Sequence, residues 1–155
     1  MTLQLSYKPN VLYLASIERI ITARQLVHES PRDYVIATYL AGLAVESILQ
    51  AIAIRHGAVA DARHDLLRWL NRCPSSLVHS LRGVSEWSHL LTAWDNGIRY
   101  LSYDGLLGFL RQRNLVHGQK GGVESIVRGS VKAIVESARV VHEKGTVQWQ
   151  SFTQR

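Results

Sequence analysis

The chain has 155 residues, of which 46% are apolar and 19% charged. This suits one domain around one core and excludes a disordered, polar-biased chain. The formal charge is +6, with +1 in residues 1–60, +3 in 61–120 and +2 in 121–155. An excess this mild is compatible with a polyanionic partner such as RNA without requiring one.

The N-terminus, Met-Thr-Leu-Gln-Leu-Ser, lacks the basic start and apolar stretch of a signal peptide. Helical periodicity then runs through nearly the whole chain. A first helix is expected to open near Pro9, a residue tolerated in a first turn, with Val11, Leu14, Ile17 and Ile21 as its apolar stripe. Ser30-Pro31-Arg32-Asp33 reads as a new start: Ser30 can cap, Pro31 suits the first helical position and Asp33 approximates a capping box. The second helix is expected over residues 31–56 and is stopped by Gly57. Ala37, Leu40, Ala41, Ala44, Ile48 and Ile52 share one face, and the small residues Ala41, Gly42 and Ala44 allow close approach of a neighbour. The apolar run over 35–45 is interrupted by Thr38 and Gly42 and followed by Glu46, short of the ~18 to 20 residues of a membrane span.

Shorter helices are expected over 62–71 and 85–97, with an irregular or short helical stretch over 74–83 between them. Further helices are expected over 104–117, ending at Gly118, and over 123–144, stopped by Gly145. No alternating apolar/polar run bounded by hairpin turns supports a strand. The expectation is a single all-α domain, an antiparallel helical bundle with two long N-terminal helices and a long C-terminal one. Cys73 is the one cysteine and reads as a free thiol in a reducing, cytoplasmic compartment.

Two segments resemble the HEPN family of small helical domains. Residues 33–51, Asp-Tyr-Val-Ile-Ala-Thr-Tyr-Leu-Ala-Gly-Leu-Ala-Val-Glu-Ser-Ile-Leu-Gln-Ala, are similar to the family's second helix, and the step His64-Asp65-Leu66-Leu67 fits its layout. Residues 111–118, Arg-Gln-Arg-Asn-Leu-Val-His-Gly, resemble its Arg-x(4–6)-His signature near the end of a late helix. With helix order, the resemblance covers about residues 8–145. It implies a symmetric homodimer. In ribonuclease members it implies metal-independent RNA cleavage by 2′-hydroxyl attack, with the motifs of two subunits meeting at a cleft, in toxin or defence roles beside a nucleotidyltransferase-like antitoxin partner. Other members are non-catalytic modules that bind such a partner or a nucleotide. A purely structural dimer is a third reading.

Cleavage of this kind needs an acceptor for the hydroxyl proton, a donor for the leaving oxygen and a cation over the developing charge. Imidazole does the first two near neutral pH, and guanidinium suits the third. Arg111 and His117 are the expected catalytic pair. They satisfy the spacing with five intervening residues, whereas Arg113 lies only three before His117. Arg113-Asn114 nevertheless better matches the family's small polar residue after the arginine, a place that Gln112 takes in the Arg111 register. On a continuous helix Arg113 and His117 share a face, while Arg111 sits about 120° away. Both arginines also read as solvated helix residues, with His117 favoured by the C-terminal dipole.

Arg113, Lys120 and Arg128 are expected to hold RNA phosphates, with Asn114 and Glu46 in support. Glu46, on an apolar helix, reads either as orienting Arg111 or Arg113 or as half of a structural salt bridge. Gly118-Gln119-Lys120-Gly121-Gly122 before a helix reads either as a phosphate cradle or as a flexible turn, and it does not match a P-loop. In the aromatic stretch from Trp94, Arg99 with Tyr100 either faces a ligand or a partner, or Tyr100 and Trp94 are core or interface aromatics. The other histidines have no metal-ligand spacing, so neither metal nor cofactor is expected.

Overall fold

The computed structural model describes residues 8–153. Among these residues seven α-helices follow one another: α1 (Pro9–Leu26), α2 (Tyr34–Arg55), α3 (Leu66–Leu70), α4 (Ser75–Arg82), α5 (Ser85–Ala93), α6 (Tyr103–Gln112) and α7 (Val123–Ser151). Short 3-10 turns occupy Pro31–Asp33 and Asn96–Tyr100, and no strand occurs among the described residues.

Helix α2 is the centre of the packing. Sixteen of its 22 residues are buried, and it lies against α1, α3 and α7. By length and composition it is the one helix among the described residues that could cross a membrane. Its apolar surface is instead taken up inside the protein, where 78% of its most apolar window is buried. Ile48, Leu49 and Ile52 are fully buried, each worth about 1.5–3 kcal/mol relative to exposure. Small residues allow close contact at two points. A Cβ at Gly42 would overlap the Trp94 ring, and one at Gly145 of α7 would sit 3.0 Å from Ile48 Cδ1.

That second contact corrects the expected stop at Gly145. Gly145 lies inside α7, where the absence of a side chain lets α2 approach, and the helix continues to Ser151. The extension places Trp149 against Tyr13, stacked at 4.7 Å, with the Arg55 guanidinium 4.5 Å from its ring.

Helix α1 also turns differently from the expected stripe. Val11, Leu14 and Ile21 are 56%, 59% and 48% exposed, while Ser16, Ile20 and Ala23 are buried. The small side chains of Ser16 and Ala23 beside Ile20 suit a close approach to the neighbouring helices. Ser16 also donates to the Tyr13 carbonyl at 2.6 Å and contacts His142 Nε2 of α7 at 2.9 Å. At the start of α2, Ser30 Oγ accepts from the Arg32 N–H at 3.3 Å, so Ser30 caps as expected, but the first turn is 3-10 rather than α. The expected 62–71 helix begins only at Leu66, where Asp65 caps the Arg68 N–H at 2.9 Å.

Candidate functional site

Helix α6 ends at Gln112, five residues before the expected end at His117. The Leu115 N–H donates to the Leu110 carbonyl at 2.8 Å and the Asn114 N–H to the Arg111 carbonyl at 3.0 Å. Asn114 takes φ 56. This is a Schellman ending with Asn in the left-handed position. Leu110 and Leu115 both enter the core, which fixes the turn. The helical-face comparison of Arg111 and Arg113 with His117 therefore no longer applies, because no continuous helix connects them.

The three motif side chains end up in different situations. Arg111, on the last turn of α6, is exposed, and so is His117 in the turn that follows; neither makes a side-chain hydrogen bond or ion pair within the described residues. Arg113 is engaged. Its Nη2 donates to Asp95 Oδ2 at 2.9 Å, its Nη1 to the Thr92 carbonyl at 3.1 Å, and its guanidinium lies 4.8 Å from the Phe109 ring. Asn114 acts through its backbone at the turn.

Gly118 (φ 79) and Gly121 (φ 100) carry the chain from His117 to α7. Gln119 closes this loop by lying over Gly129 of α7, where a Cβ would collide with its amide. Lys120 is exposed, and its carbonyl accepts from Ser125 Oγ at 3.2 Å. Arg128 is drawn back toward the protein: Nε donates to Tyr34 Oη at 3.0 Å and Nη2 to Glu124 Oε1 at 2.7 Å.

Glu46 belongs to a separate cluster, and the expected orientation of Arg111 or Arg113 by Glu46 is corrected. The carboxylate is 2% exposed and accepts from His64 Nδ1 at 2.9 and 3.2 Å and from Gln50 Nε2 at 3.0 Å. Arg19 stands nearby and donates to Ser47. Burial pushes the Glu46 carboxyl above the usual carboxylate range, against the pull of His64, Arg19 and Gln50. A cavity of about 180 Å³ adjoins these groups. The cluster joins α1, α2 and the 58–65 segment. Asp61, held down to about 2 by the Arg63 N–H and by Arg68, is a further anchor of that segment.

The sequence thus brought Arg111, Arg113, Asn114 and His117 into one turn but not the partners that decide which cation is free. Asp95 lies 18 residues from Arg113, His64 lies 18 from Glu46 and Tyr34 lies 94 from Arg128; no local pattern announces such pairs. Among the described residues no group of three or more His, Cys, Asp or Glu is arranged to hold a metal ion. Comparison of the chain with protein-family models, curated proteins and solved structures finds no match.

Proposed function

We propose that this protein is a HEPN-like, metal-independent endoribonuclease of toxin or defence type, in which Arg111 and His117 act on RNA from two copies of the chain. The supporting observation is the division of labour at the end of α6. Arg113 is committed to Asp95 and Thr92, while Arg111 and His117 face solvent on either side of a turn pinned by Leu110 and Leu115. This favours the Arg111 register. His117 of one copy takes the 2′-hydroxyl proton, His117 of the other protonates the leaving oxygen, and Arg111 lies against the phosphorane charge. Lys120 adds a cation for the backbone. The antiparallel bundle and the homodimer belong to the same reading, and the exposed apolar side chains of α1 offer surface for a dimer contact.

A second reading, a non-catalytic module that binds a nucleotidyltransferase-like partner or a nucleotide, draws on a different feature. A cleft of about 760 Å³ between the C-terminal end of α1 and α7 combines apolar Ile21 and Val135 with Arg24, Glu29, Lys132 and Glu136. It contains none of the proposed catalytic groups and suits a partner segment.

Purified protein incubated with total RNA in EDTA tests the choice. The nuclease reading expects products with cyclic-phosphate ends, lost by about 10²-fold or more in His117→Ala and Arg111→Ala. Intact RNA after incubation with folded wild-type dimer would refute it and leave the partner-binding reading.

A further inference from the structure

The Asn96–Tyr100 turn holds the one Phe, Tyr or Trp ring among the described residues that stands largely in solvent. Tyr100 is 76% exposed, whereas the four tryptophans are all buried. The Arg99 guanidinium covers one side of the ring, 4.7 Å from its centroid, and reaches Tyr39 Oη on α2 through a long 3.4 Å hydrogen bond. Tyr39 in turn stacks on Trp94 at 5.7 Å and 24°, and Trp94 is seated on Gly42. A series of planar groups therefore leads out of the core: indole, phenol, guanidinium, phenol.

The support beneath the series is firm. Ile98 is buried, Asp95 Oδ1 accepts from the Gly97 N–H at 2.7 Å, and Asp95 Oδ2 accepts from Arg113. Through Arg113 the platform is bonded to the turn that carries Arg111 and His117. Trp94 Nε1 and Asn96 Oδ1, both buried, have no hydrogen-bond partner among the described residues. The stretch from 95 to 132 is also cationic, with six Lys or Arg against three Asp or Glu.

We propose that Tyr100, backed by Arg99, is a stacking platform for an unpaired base, so that the RNA taken by this protein is single-stranded next to the Arg111–His117 turn. This rests on the RNA reading of that turn but not on cleavage. An exposed ring beside a guanidinium offers a π-face and a cation, which a splayed base can use and a base inside a duplex cannot. The surrounding positive charge tracks the backbone.

The test uses the full chain carrying His117→Ala, so that RNA stays intact, with fluorescence anisotropy of a labelled 12-nucleotide single strand and of the same sequence as a blunt duplex. The single strand binds more tightly than the duplex. Tyr100→Ala weakens single-strand binding about tenfold or more, Tyr100→Trp retains it, and Arg99→Ala lies between. Because Tyr100 is exposed, the alanine variant keeps its fold, which circular dichroism checks. Single-strand binding by Tyr100→Ala as tight as by its parent, or equal affinity for the duplex, overturns the platform and leaves the RNA reading standing. No binding of either RNA by the His117→Ala parent overturns both. A Tyr100→Ala protein that loses self-association in sedimentation assigns the ring to a protein interface and overturns the platform.

Discussion

His142 and Cys73 show how burial alone changes the chemistry of a residue. His142 is 6% exposed, and desolvation holds its imidazole down to about 4. The Ser16 hydroxyl donates to the Tyr13 carbonyl, so Ser16 Oγ is left to accept from His142 Nε2–H, the neutral tautomer. A depressed folded-state value means that the stabilising contribution is complete above the ordinary value of 6.5 and is lost as pH falls toward 4. The loss is on the order of 3 kcal/mol. Denaturant midpoints at pH 7.5, 6, 5 and 4 should therefore fall more steeply for wild type than for His142→Gln, and parallel slopes would contradict the assignment. Burial acts in the opposite direction on Cys73, whose thiol is pushed up to about 12 and lies against the Leu49 and Trp69 carbonyls. Alkylation by iodoacetamide at pH 8 should be negligible in native protein and rapid in guanidinium, as mass spectrometry would show.

At the scale of elements, two small-residue contacts and one turn carry most of the specification. Gly42→Ala forces the Trp94 ring away from α2 and should cost about 1–3 kcal/mol, read from chemical denaturation. It should also weaken any function of the Asn96–Tyr100 turn that Trp94 supports. At the end of α6, Asn114 occupies a left-handed conformation. Asn114→Gly should be close to neutral, whereas Asn114→Val should lose about 1–2 kcal/mol and displace His117, which on the proposed nuclease reading also lowers RNA cleavage. The existence and order of the helices were legible in the sequence because periodicity, Pro and Gly are local signals. Their ends were less legible. Gly118 looked like the stop of α6, yet Asn114 had already ended it, since Leu115 gains more by entering the core than by continuing the helix. Gly145 looked like the stop of α7, yet contact with Ile48 made it an interior residue.

For the whole molecule, the placement of α1 has the largest consequence. Its inward face carries Ser16, Ile20 and Ala23 and its outward face Val11, Leu14 and Ile21. If two copies associate through that surface, Leu14→Asp should convert a dimer to a monomer in analytical ultracentrifugation. On the proposed nuclease reading it should also abolish cleavage, which there needs two copies of His117, although His117 itself is untouched. A Leu14→Asp protein that stays dimeric would place the contact elsewhere.

Local pattern was enough to read the helical character of the chain, where most helices begin, and that Arg111, Arg113 and His117 lie close together, because each depends on neighbours a few positions away. Which face of α1 is buried, that Glu46 pairs with His64, that Asp95 takes Arg113 while Arg111 has no side-chain partner among the described residues, and that Tyr100 stands in solvent came only from the packing of the folded chain. These are outcomes of burial and pairing between residues far apart in the chain, and the packing of α2 against its neighbours selects among partners that local pattern leaves equivalent.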